Sequence, residues 1–117
     1  MSVKKISILI LSVLFLMTYN SNAQVTKDAD NAFRTCKYEK ALELYKKVTG
    51  KIKKNKVESR RVAYQIAECY RITGDVKHAK KQYESLYKKN YQKDNPLLLY
   101  HLGNIYIYEG NYDAALV

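Results

Sequence analysis

A chain of 117 residues leaves room for one domain, and 47% hydrophobic against 27% charged residues, with four Gly and one Pro, excludes a disordered or low-complexity chain. Twelve residues are Tyr, two are Phe and none is Trp, a choice that suits half-buried helix faces and binding surfaces because each Tyr ring carries a polar tip. The formal charge of +10 raises a nucleic-acid or membrane-surface reading that depends on where the lysines fall.

Residues 1–23 read as a signal peptide. Lys4 and Lys5 form a positive start, Ile6 to Met17 is an apolar run, and Ser21-Asn22-Ala23 places small residues where a signal peptidase cuts, before Gln24. The run has 12 residues, short of the roughly 20 that span a bilayer. Cys36 is the nearest cysteine, too far on to carry a lipid at a processed N-terminus. Removing the leader takes two of the 21 basic residues and no acid, so 19 stand against 11 acidic residues, or +8.

Past the leader, units of helical hairpin are expected in succession. Val25, Ala29 and Ala32 mark a first helix, the Cys36 turn follows, and Tyr38, Ala41, Leu42, Tyr45 and Val48 mark a second. Lys51 to Lys56 then form either a longer second helix or a wide link. The second unit repeats the scheme with Ala63, Ile66, Ala67 and Tyr70, the Gly74 turn, then Val76, Ala79, Tyr83 and Leu86. The third has Leu99, Leu102, Gly103 and Tyr106, the Gly110 turn, and a second helix opening at Tyr112. Tyr38 to Val76 is 38 residues and Val76 to Tyr112 is 36, a period that marks stacked helical repeats. Gly74 and Gly110 can take the left-handed conformation that ends a helix, which Cys36 does less comfortably.

At these residues the chain resembles the tetratricopeptide repeat family, whose pattern W-x-x-L-G-x-x-Y, then A-x-x-x-F, then P, is matched by Leu99, Leu102, Gly103 and Tyr106. Ala63, Ile66, Ala67 and Tyr70, with Ala79 and Tyr83 beyond, match it again. The spacings exceed the family's period of about 34, and the closing Pro is missing after the first unit and late, as Pro96, after the second. The resemblance implies an all-α fold: a right-handed superhelix of antiparallel helix pairs filling 24–117. Two full repeats, at about 25–58 and 59–94, precede an incomplete third at 95–117. Because that third unit stops at Val117, leaving Leu99, Leu102 and Tyr106 uncovered on one side, the chain is expected to be the N-terminal piece of a longer protein.

In such arrays the first helices line a concave groove and the second helices form the back. On this phase the groove takes Asp30, Phe33 and Arg34, then Arg61, Tyr64, Glu68 and Arg71, then Tyr100, Asn104, Ile107 and Tyr108. Aromatic side chains and Arg are the types enriched at binding hot spots. The alternative is that half of them pack or sit in water. A clamp for C-terminal carboxylates is not supported, since Tyr100 stands one turn before Asn104 where a cation is needed. Lys46, Lys47, Lys51, Lys53, Lys54 and Lys56, then Lys77, Lys80, Lys81, Lys88, Lys89 and Lys93, fall on the back, as a solvated face or an attraction to acidic partners. Lys without Arg–aromatic interleaving disfavours nucleic acid.

Nothing points to catalysis, a cofactor or a small-molecule substrate. His78 and His101 lie in different units, and Glu68 beside Arg71 reads as an ion pair three residues apart. Two cysteines and no clustered His give no metal site. Export makes a Cys36–Cys69 disulfide possible and their spacing leaves it open, with a free, partly buried Cys69 the simpler reading.

A narrower resemblance rests on Lys53-Lys54-Asn55-Lys56-x-Glu58, Tyr64-Gln65-Ile66-Ala67-Glu68-Cys69-Tyr70-Arg71 and Asn95-Pro96-Leu97-Leu98-Leu99-Tyr100. These stretches look like the N-terminal region of envelope proteins that carry repeats, a β-propeller and an OmpA-like domain, associated with type IX secretion and gliding. That likeness implies a periplasmic, outer-membrane-associated scaffold for a protein or peptide partner, touching peptidoglycan through domains beyond this chain. The alternative is the exported sensor region of a membrane signalling protein.

Overall fold

The computed structural model describes residues 3–116, the side chains of residues 16–22 excepted. Every regular element among them is helical: α1 Val3–Arg34, α2 Tyr38–Thr49, α3 Lys56–Ile72, α4 Val76–Lys88, a 3-10 turn at Tyr91–Lys93, α5 Leu97–Tyr108 and α6 Tyr112–Ala115. Each helix packs on its sequence neighbour. The chain is thus an all-α stack of hairpins α1–α2, α3–α4 and α5–α6, with α2 against α3 and α4 against α5.

The three hairpin turns share one backbone solution. Cys36, Gly74 and Gly110 have φ of 60°, 87° and 75°. The next residue's N–H then reaches back five positions, Lys37 to the Ala32 carbonyl at 2.9 Å, Asp75 to Tyr70 at 2.8 Å and Asn111 to Tyr106 at 2.8 Å. This geometry satisfies carbonyls that a helix end leaves open. Asp75 and Asn111 also start the following helix, accepting from the backbone N–H of His78 at 3.2 Å and Ala114 at 3.3 Å. Lys37 offers no such cap to α2. The first turn therefore combines a strained Cys with an uncapped helix.

Between hairpins, the lysine-rich insertion is a link rather than a longer helix. Helix α2 stops at Thr49, and Asn55 caps α3 by accepting the Glu58 N–H at 3.1 Å. Before α5, Asn90 turns left-handed (φ 60°) and Asn95 accepts the Leu97 N–H at 3.2 Å. Pro96 sits where a helix start has no use for an N–H.

Two apolar clusters run through the stack, and α3 belongs to both. Val62, Ile66 and Cys69 pack with Ala29, Ala32, Ala41, Tyr45 and Val48. Tyr64 and Ala67 pack with Ala79, Tyr83, Leu86, Leu98, Leu102 and Ile105. The small Ala at the hairpin contacts lets the helices approach, and Tyr45 and Tyr83 are fully buried, as their place in the repeat implies. In α5 the buried stripe is Leu98, Leu102 and Ile105, whereas Leu99 is left 39% exposed. Leu99, Leu102, Gly103 and Tyr106, with Tyr87 and Ala115, line a cavity of about 310 Å³ beside the short α6.

Helix α1 runs without a break through the expected cleavage point between Ala23 and Gln24. Of the residues expected to guide cleavage, the side chains of Ser21 and Asn22 lie outside those described, as does that of Met17, and so does Val117 at the other end. No helix among the described residues is long and apolar enough to cross a membrane. Cys36 and Cys69 are both free; Cys69 is buried and its thiol is pushed up to about 11, by burial first and then by the Glu68 charge.

Cys36→Gly combined with Lys37→Asp should relieve the left-handed strain and supply the missing cap. Stability should rise by about 1 kcal/mol or more, read as a higher urea midpoint with unchanged slope. A lower midpoint would show that the turn is not limiting.

Candidate protein-binding surface

The first helices are tied together by two polar nodes of the same design. In the first, the buried Tyr45 hydroxyl of α2 donates to Asp30 Oδ1 of α1 at 2.5 Å. Arg61 of α3 then spans the gap, its Nη1 and Nη2 donating to Asp30 at 2.9 and 3.1 Å. The same guanidinium grips Glu58 at 2.9 and 2.8 Å. In the second, the Tyr83 hydroxyl of α4 donates to Glu68 of α3, which Arg71 also holds at 3.3 and 2.8 Å. His101 of α5 brings Nε2 to 3.5 Å from the same carboxylate oxygen and stacks on the Tyr83 ring at 6.0 Å. In both nodes the tyrosine follows its carboxylate by 15 residues.

The electrostatics follow from this geometry. Burial, then the hydrogen bonds to Asp30 and Glu68, push the Tyr45 and Tyr83 phenols far above their ordinary range, so each is a permanent donor. Burial works to raise the Glu68 carboxyl, but hydrogen bonds from Arg71 and Tyr83 and the nearby His101 outweigh it and hold it below the usual value. His101 is lowered, by burial first and by the Arg71 charge, against the pull of Glu68. The node is therefore an anion held by donors. Glu68 and Arg71 form the ion pair expected from their spacing, at 2.8 Å.

Of the residues expected to line the groove, several turn out to be interior. Tyr64 is only 8% exposed, wedged against the Tyr83 ring at 6.0 Å and the Tyr91 ring at 5.8 Å. Burial and the Glu68 charge push its phenol up to about 12. Glu68 is likewise buried, at 8%. The groove assignment of both is corrected: α4 and α5 close over a face of α3 that was assigned to the surface. Phe33 is half-buried, packs on the first cluster and meets the Tyr38 ring edge-on at 5.3 Å. Arg34 is exposed and donates to Asn31 at 2.9 Å, and Arg61 is committed to its two carboxylates.

What remains open lies on α5 and the end of α3. Tyr100 and Tyr108 are 64% and 85% exposed, and Asn104 is exposed between them. With Arg71, Val76, His101 and Ile105 they line a shallow cavity of about 330 Å³. This patch joins two rings, an amide and a guanidinium edge. Two lysines of the back helices make contacts there: Lys46, exposed, lies over the Tyr70 ring at 5.0 Å, while Lys80 lies over Tyr106 at 5.2 Å and pairs with Glu109 at 2.6 Å. Among the described residues, no group of three His, Cys, Asp or Glu is placed to hold a metal ion.

The matched tyrosines were legible in the sequence, but their carboxylate partners were not. The signal that could have found them is the repeated interval of 15 between acid and tyrosine. No protein-family model matches the chain, and no curated protein matches it either.

Because the folded state holds the His101 pKa below the unfolded value, unfolding takes up protons as pH falls through the ordinary histidine range (about 6.5). Stability from this site is thus full above that range and lost on acidification. His101 faces Glu68 and Arg71 on α3, Tyr83 on α4 and its neighbour Tyr100. Replacing it, as His101→Gln, should flatten the fall of the urea midpoint between neutral and mildly acidic pH. An equally steep fall in the variant would remove His101 as the cause.

Proposed function

We propose that the chain is a non-catalytic scaffold for protein–protein interaction, a tetratricopeptide-type array that holds a partner segment along its first helices. The observation that carries the reading is the contrast within that face. Asp30, Arg61, Glu68 and Tyr83 are consumed in holding helices together, whereas Tyr100, Asn104 and Tyr108 stand open beside Arg71 over a preformed hollow. Exposed aromatic anchors on a rigid scaffold are the composition of binding hot spots, because they bury much area with little loss of side-chain freedom. The repeated hairpins supply the rigidity, and the free ends of Tyr100 and Tyr108 supply the contacts.

The same proposal takes residues 1–23 as a leader and the array as periplasmic and associated with the outer membrane. Support comes from the charged start, the short apolar run and the small residues before Gln24. The narrower assignment, to a scaffold of type IX secretion and gliding, rests on the stretches around Tyr64–Arg71 and Asn95–Tyr100. In that setting the partner is another envelope protein or a peptide segment of one.

Tyr100→Ala combined with Tyr108→Ala tests the surface without touching the core. The variant should keep the helical circular dichroism and melting temperature of the parent, yet retain at most about a tenth of the partners captured from envelope extract. Capture equal to the parent's would count against this face.

A further inference from the structure

The three hairpin turns set α1, α3 and α5 in one register. Ten residues before Cys36, Gly74 and Gly110 stand Thr26, Tyr64 and Tyr100, and six before them stand Asp30, Glu68 and Asn104. In each series the first two members are buried or bonded and the third is open. Thr26 and Tyr64 are 7% and 8% exposed, against 64% for Tyr100. Asp30 is met by Arg61 of α3 and Glu68 by His101 of α5, while Asn104 is exposed and has no hydrogen-bond partner among the described residues.

Helix α5 shows what such a face takes. Its Leu98, Leu102 and Ile105 share a cluster with Tyr64 and Ala67 of α3, and its His101 stands beside Glu68. The face at Tyr100, Asn104 and Ile107 is the same face one unit on, so the stacking interface that joins α3 to α5 continues onto it. Helix α6, a single turn at Tyr112–Ala115, approaches α5 at Gly103 and leaves this face bare.

The chemistry of the face narrows the occupant. From Leu97 to Tyr108 there is no Asp, Glu, Lys or Arg, and the nearby Arg71 and Glu68 already pair with each other at 2.8 Å. A charged group buried here would find no counterion. The two carboxylates of the series are met by a guanidinium and an imidazole, but an amide both donates and accepts, so its match is a neutral hydroxyl, amide or imidazole. A helix satisfies its own backbone, whereas an extended segment laid on α5 would bury N–H and C=O groups with little beyond the Asn104 amide to meet them.

We propose that this face of α5 is a helix-stacking surface. The partner lays an uncharged α-helical stripe along Tyr100, Asn104 and Ile107, as α5 lies on Tyr64 and Glu68, and brings a neutral hydrogen-bonding side chain to Asn104. The inference rests on the reading of the Tyr100–Tyr108 surface as the partner site, and adds that the occupant is a helix of another protein.

The test is a fluorescence-anisotropy titration of the full chain against a labelled synthetic helix. The helix carries Leu98, His101, Leu102 and Ile105 in their own spacing, the stripe that α5 turns to α3. Its other positions are Ala, with Glu and Lys four residues apart to keep it folded alone. At mildly alkaline pH the chain should bind it saturably, and should bind about a hundredfold more weakly once an outer Ala is changed to Pro. Tyr100→Glu should weaken binding about tenfold or more, while Lys40→Glu, which puts a carboxylate on an exposed part of α2, should leave it as it is. Absence of saturable binding, equal affinity for the Pro peptide or equal loss in the two variants would overturn the proposal, the second result giving the face to an extended segment. So would sedimentation equilibrium showing a dimer of the chain alone that Tyr100→Glu dissolves, which would give the face to a second copy. If the helix fails to bind while Tyr100→Ala with Tyr108→Ala still loses envelope partners, the surface stands and only its helical occupant falls. If capture is unchanged as well, the surface falls with it.

Discussion

A tyrosine hydroxyl buried against a carboxylate on the preceding helix is the constraint on which the rest of this stack depends. Tyr45 with Asp30 and Tyr83 with Glu68 close the first two hairpins from inside, at the same interval of 15 residues. Glu68 is buried, where an unpaired carboxylate would be costly, and Arg71 pairs with it; the more open Asp30 is met by Arg61 from the next helix. The cation of the first node comes from α3, and His101 of α5 leans on the second. Closing one hairpin thereby orients the next, and the apolar clusters on either side of α3 fill in around these points.

This arrangement also sorts the charge. Asp30, Glu58 and Glu68 are drawn to Arg and Tyr between the helices, while most lysines, whose long stems and compact heads make poor buried partners, are left outside. A net positive chain with so many of its acids engaged presents its charge on the links and the outer helix faces. The open aromatic surface on α5 is correspondingly free of lysine.

The hairpins, their period and the left-handed turns were legible because they rest on local rules: Gly74 and Gly110 at helix ends, Ala41 and Ala79 at close approaches, Tyr45 and Tyr83 in phase. Two things were not. A single stripe of apolar residues describes a helix with one neighbour, but α3 has neighbours on two sides, so Tyr64 and Glu68 read as surface and are interior. The other is the polar pairing across helices, which leaves no trace in a helix read alone. On α5, Tyr100, Asn104 and Tyr108 lie on an exposed flank, where the repeat register puts them.

The most direct test of the account is a double-mutant cycle on the second node, with Glu68→Gln and Tyr83→Phe made singly and together and unfolding followed in urea. If the buried pair closes the hairpin, the two changes will be coupled by about 1–3 kcal/mol, as expected for a hydrogen bond to a charged group. Additivity to within about 0.3 kcal/mol would mean that Tyr83 and Glu68 are merely neighbours, and the constraint that organises this description would have to be sought elsewhere.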